Sequence, residues 1–126
     1  MNNAVMTIAV VGTGDMGSAV GGALVRAGYR VVTASDGMQA LARLNEVAPD
    51  LILLDVSMPR MDGYQACKVI KQNAYTKQIP VVMLSGNDGF FDKVRGRLAG
   101  ACDYLTKPLD EDSLVHAVKR HLKQGH

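Results

Sequence analysis

The chain has 126 residues, 48% hydrophobic and 21% charged, with a net charge of +2. That length fits a single domain over 1–126, able to bury a core without disulfide or metal staples. The small charge gives no ground for nucleic-acid binding, and no apolar stretch or leader pattern points to a membrane, so a cytoplasmic protein is the expectation.

Taken in order, the chain alternates short apolar runs with amphipathic ones. A strand over 6–11 runs into Gly12-Thr13-Gly14-Asp15-Met16-Gly17 and then a helix. G-x-G-x-x-G between strand and helix lets backbone amides approach a pyrophosphate, which marks Gly12, Gly14 and Gly17 as candidate phosphate or cofactor contacts. The plainer reading is a tight strand-to-helix turn. The helix carries Met16, Ala19, Val20, Ala23, Leu24 and Ala27 as an apolar stripe, and Gly28 is placed to stop it. Gly21 and Gly22 inside it cost roughly 1 kcal/mol each relative to alanine.

A second strand over 29–34 leads to Asp36, which suits either a ribose-binding acid or a helix N-cap. A helix over 38–47 follows, then a strand over 51–54 that ends in Asp55. A carboxylate there is either a group delivered to the sheet's working edge or an ordinary turn residue. Asp50 and Asp62 read as solvated caps. A helix from Gly63 would bury Ala66, Val69 and Ile70.

The strand over 80–84 ends in Ser85. The next helix, 89–98, has Phe91, Val94 and Leu98 as its apolar stripe and carries Lys93, Arg95 and Arg97. A strand over 101–104 precedes Thr106-Lys107-Pro108. Asp110 can cap a last helix whose stripe is Leu114, Val118 and Leu122, with Lys119, Arg120 and Lys123 at its dipole-favoured end. Cys67 and Cys102 lack metal-ligand spacing and read as small core residues kept reduced. His121 and His126 have no metal-like context.

Five βα units with right-handed crossovers predict an α/β three-layer sandwich around a five-stranded parallel sheet. The near-continuous apolarity of the strands suits burial on both faces.

Three strand-end groups in order carry a family resemblance. Ile52-Leu-Leu-Asp55-Val-Ser-Met-Pro-Arg-Met-Asp-Gly63, Pro80-Val-Val-Met-Leu-Ser85 and Tyr104-Leu-Thr-Lys107-Pro108 resemble bacterial response-regulator receiver domains. Residues 85–97 are similar to single-domain receivers of the chemotaxis and twitching-motility type. The resemblance spans about 29–123. It implies a flavodoxin-like strand order 2-1-3-4-5 and a non-enzymatic, monomeric role in phosphorelay signalling, with Asp55 accepting a phosphoryl group from a histidine kinase. It implies that Ser85 and Lys107 bind the phosphoryl oxygens, that Ser85 and Tyr104 move together as a switch, and that the bond before Pro108 is cis. Asp55 and the Ser57 carbonyl would contribute to a magnesium site. The face made by the fourth helix, fifth strand and fifth helix would bind an output protein.

The chain departs from the family at its first strand end, where Gly12 and Thr13 stand in place of the family's cation-binding acids. Residues 6–28 look more like the opening of a Rossmann NADP oxidoreductase, so a natural or engineered chimera without activity is one expectation. The others are impaired phosphorylation, magnesium held weakly or absent, and phosphate or sulfate at the Gly12–Gly17 loop. NAD(P) chemistry is disfavoured, because the chain has no room for a second mononucleotide half.

Overall fold

The alternation of strand residues between two apolar layers organises the molecule. Ile8 and Val10 pack with Leu51, Leu53, Val82 and Leu84 on one face of the sheet, while Ala9 and Val11 pack with Ile52, Leu54, Val81 and Met83 on the other. Successive strand side chains point to opposite faces, so uninterrupted apolar strands require a helical layer on each side. The structure, a computed structural model, describes residues 5–12, 14–56, 62–86 and 89–123, with backbone alone at 14–18 and 123. Thr13, Ser57 and His126 lie outside the described residues.

The elements in chain order are β1 (Thr7–Val11), α1 (Gly14–Arg26), β2 (Arg30–Ala34), α2 (Gly37–Glu46), β3 (Leu51–Asp55), α3 (Gly63–Gln72), β4 (Val81–Ser85), α4 (Phe90–Ala99), β5 (Asp103–Thr106) and α5 (Glu111–Lys123). The strands form one parallel sheet in the order β2-β1-β3-β4-β5. The predicted architecture and strand order are therefore correct. Helices α1 and α5 cover one face through Ala23, Leu24, Leu114 and Val118; α2 and α3 cover the other through Ala40, Leu44, Ala66, Cys67 and Ile70. Among the described residues, no helix is long and apolar enough to cross a membrane.

Several expected details change. The α1 stripe is rotated: Ala19 and Ala27 are exposed, while Gly21 faces inward with Ala23 and Leu24. Gly28 does end the helix, at φ +99°. Val69 is partly exposed, and Tyr64 and Cys67 take the buried positions of α3. The expected caps of α2, α3 and α5 are present, Asp36 accepting from Gln39 N, Asp62 from Gln65 N and Asp110 from Ser113 N. Asp50 is a clamp on the sheet instead: its carboxylate accepts the Thr7 backbone N–H at 2.8 Å.

The largest correction concerns α4. Phe91 and Leu98 are 80% and 78% exposed, and the residues that α4 buries are Gly96 and Ala99. The fifth strand starts two residues later than expected because α4 ends in a Schellman motif. Gly100 adopts φ +108°, its N–H bonds Arg97 O, and the Ala101 N–H reaches back to Gly96 O. Residues 100 and 101 thus finish the helix and cannot begin the strand.

Candidate functional site

Parallel pairing sets four strand ends level. Val11 pairs with both Ala34 and Leu54, Asp55 with Leu84, and Ser85 with Thr106. Gly12, Asp55, Ser85 and Lys107 consequently gather at the C-terminal edge of β1, β3, β4 and β5, where open α/β sheets bind ligands. Asp55 and Ser85 are buried, at 4% and 3% exposure. Lys107 extends from the loop after β5 and places Nζ 3.5 Å from Asp55 Oδ1, its side chain still 38% exposed. The Lys107 backbone N–H also donates to Ser85 O at 2.7 Å, which fixes the start of this loop on the end of β4. The Lys107–Pro108 bond is cis.

A buried carboxylate with a cation at one side is a poised oxygen nucleophile and an anion site once its charge is neutralised. The exposed flank of Lys107 leaves an approach from solvent. Around Asp55 the backbone closes tightly, because the Gly63 N–H bonds Val56 O at 2.8 Å and α3 begins against the strand end.

Of the glycines proposed as phosphate contacts, Gly12 donates its N–H to Ala34 O at 2.9 Å. That amide continues the β1–β2 ladder and is committed to the sheet. Gly14 and Gly17 lie in the first turns of α1. Asp36 caps α2, the second of the two roles left open for it. Among the described residues, no three His, Cys, Asp or Glu side chains form a group able to hold a metal ion. Among the described residues, Asp55 contributes one carboxylate at an edge where Gly12 supplies no side-chain donor.

Tyr104, on β5 beside Met83, packs under α4. A Cβ on Gly96 would come within 2.9 Å of its ring, so α4 passes directly over it. Its hydroxyl is 3.2 Å from that of Tyr64, which in turn donates to Asp92 O at 3.3 Å. Burial and the bond to Tyr104 push the Tyr64 phenol above its usual range. Arg95 stacks over the Tyr64 ring at 4.0 Å. The sequence reading missed Tyr64; its position in the first turn of α3, directly after Asp62-Gly63, was the available signal. Arg95 is exposed, as are Lys93 and Arg97, and its stacking on Tyr64 also links α4 to α3.

The reading of Cys102 as a core residue is also corrected: it is exposed, whereas Cys67 is fully buried. His121, read as having no metal-like context, is buried with Nε2 2.8 Å from Asp103 Oδ2 and Nδ1 3.5 Å from Cys102 Sγ.

Comparisons with known proteins agree with this geometry. Residues 14–119 match the response regulator receiver domain. Protein PilG of Pseudomonas aeruginosa is 48% identical over 99 residues, which make up 79% of this chain and 73% of that protein. Protein PilH of the same organism is 38% identical over 95 residues, covering 75% of this chain and 78% of its own. The chemotaxis response regulator CheY4 of Vibrio cholerae has a TM-score of 0.88 at 30% identity, over 93% of this chain and 98% of that one. The family match opens at Gly14 and takes in all of α1, so residues 14–28 fall inside the receiver pattern and not in a separate dinucleotide-binding opening. Gly12 and β1 precede the matched span.

Proposed function

Since the chain belongs to the response regulator receiver family, we propose that Asp55 accepts a phosphoryl group from a histidine kinase, and that it does so poorly. Receiver domains are signalling modules that work with histidine kinases and output domains. The observation that carries the reading is the convergence of buried Asp55, buried Ser85 and Lys107 at one sheet edge, with Lys107 Nζ 3.5 Å from the acceptor. An Asp55 oxygen attacks the donor's phosphorus, the donor leaves with its bonding electrons, and Lys107 and Ser85 bind the transferred oxygens.

Phosphoryl transfer depends mainly on positioning and charge neutralisation. Magnesium is ordinarily held by one or two carboxylates together with waters and phosphate oxygens. With Gly12 and Thr13 in place of acids, the cation is weakly bound and the acceptor is left to Lys107. The commitment of the Gly12 amide to Ala34 weighs against a dedicated phosphate or nucleotide site in the Gly-rich loop.

The output partner docks on α4, β5 and α5. Phe90, Phe91 and Leu98 expose 73%, 80% and 78% of their surface there, and a groove of about 460 Å3 runs between α4 and β5 beside Lys93, Arg97 and Tyr104. Tyr104 borders this groove, and in this reading it moves with Ser85 to relay phosphorylation to the docking face.

Incubation with acetyl phosphate, read by intact mass and by Asp55→Asn, tests the acceptor. Labelling lost in Asp55→Asn supports the proposal. Equal labelling of both proteins refutes Asp55, and fast magnesium-dependent labelling of the unmodified chain refutes the impairment.

A further inference from the structure

The opposite end of β5 carries a second arrangement of reactive groups, which the phosphorylation chemistry does not use. Cys102, at the entry to the strand, is exposed. Its sulfur lies 3.5 Å from His121 Nδ1, and His121 Nε2 lies 2.8 Å from Asp103 Oδ2. Arg120 Nη2 holds the same carboxylate oxygen at 2.6 Å, and Asp103 also accepts the Tyr104 N–H. Since a carboxylate only accepts, the neutral imidazole keeps its proton on Nε2 and turns Nδ1 toward the thiol as an acceptor. A thiol, an imidazole and an orienting carboxylate in sequence form the arrangement that activates nucleophiles.

We propose that Cys102 is a thiol-modification site for small disulfides, with His121 as its base and Asp103 as the residue that orients His121. The Cys102 sulfur attacks one sulfur of the incoming disulfide as His121 Nδ1 takes its proton. The old S–S bond breaks, Cys102 becomes half of a mixed disulfide, the departing sulfur leaves as a thiolate with the bonding electrons, and His121 passes its proton to solvent or to a basic leaving thiolate. Cys102 is oxidised and one sulfur of the reagent is reduced to a thiolate or thiol, so no further oxidant is required.

The groups around the thiol are Asp103 on β5, Arg120 and His121 on α5, and Lys71 and Cys67 on α3. Although Cys102 as a whole is exposed, partial burial of its thiol and the Asp103 charge raise it, outweighing Lys71. The resting group is therefore a thiol, and attack depends on the imidazole base. Cys67 is a poor competitor: burial pushes it to about 11 and its side chain is fully enclosed.

The test treats the full chain with dithiobis-nitrobenzoate and follows the released nitrothiolate. One adduct per chain is expected, on the peptide containing Cys102, forming at least about tenfold faster than in the urea-unfolded chain; general bases reach more where a substrate pocket orients the attack. The rate should reach a plateau well below the pH at which the thiol ionises, whereas unassisted thiolate attack climbs about tenfold per pH unit until the thiol itself titrates. His121→Gln should remove the plateau and the acceleration, and Asp103→Asn should lower both. The pH profile of the unmodified chain needs no variant and decides the matter if His121→Gln does not fold. An adduct on Cys67, a Cys102 rate no faster than in the unfolded chain, or a profile without a plateau overturns the proposal.

Discussion

Gly63 touches the acceptor strand so closely that a Cβ on it would lie 2.6 Å from the Asp55 carbonyl oxygen and 2.7 Å from Val56 Cα. Both obstructing atoms are backbone and cannot rotate away. The glycine is what allows α3 to start against the end of β3 and close the floor beneath Asp55. Gly63→Ala should destabilise the fold by about 1–3 kcal/mol, the usual cost of overpacking. It should also lower labelling of Asp55 by acetyl phosphate. Urea unfolding checks the first effect, and a midpoint equal to the parent's would show that the contact relaxes freely.

The weak cation site should be local and repairable. Gly12→Asp with Thr13→Asp adds two carboxylates directly after β1 in the chain, the first of them level with Asp55. Acetyl phosphate labelling of the double variant should rise with magnesium, while the slow but measurable labelling of the unmodified chain should not. Asp55→Asn in the repaired background should abolish labelling. A folded repaired variant that still takes no phosphate would mean that Asp55, Ser85 and Lys107 do not form a working site.

Tyr64 restrains Tyr104 through their hydroxyl pair and ties α3 to α4 through Asp92 O. Tyr64→Phe keeps the ring and the Arg95 stack but removes both hydrogen bonds. A loss of about 1 kcal/mol is expected from urea unfolding, together with greater motion of the Tyr104 ring in NMR spectra. An unchanged stability and an unchanged Tyr104 signal would show that the pair carries no restraint.

Desolvation alone would raise the Asp103 carboxyl. The bonds from His121, the Tyr104 N–H and Arg120 outweigh it and leave the group below its ordinary value of 3.8. Because the folded value is lowered, the stabilisation is present above the unfolded-state value and is lost as pH falls through the folded one. Asp103→Asn should therefore cost about 1 kcal/mol at neutral pH, a modest figure because the group is partly solvated. That cost should shrink as the pH drops below about 4. A cost that stays constant down to acid pH would assign the loss to packing instead of charge.

Much of this protein is determined locally. Apolar runs of strand length, the α5 stripe, the Asp36, Asp62 and Asp110 caps and the Gly28 stop depend on neighbours a few residues apart, so they can be read along the chain and appear in the fold. Asp55, Ser85 and Lys107 were legible for a related reason: each directly follows an apolar strand, and a parallel sheet brings such ends together. Pairings between distant residues were decided by tertiary structure alone. The α4 stripe looked like a core face, yet Gly96 and Ala99 pack inward because the close approach of α4 to Tyr104 admits only small side chains. Tyr64 meets Tyr104 across 40 residues, and His121 meets Asp103 across 18. A hydrogen bond between side chains needs both groups placed to within a fraction of an ångström. No periodicity along a chain carries that information; it arises when sheet register and helix rotation are set together by the packing of the whole core.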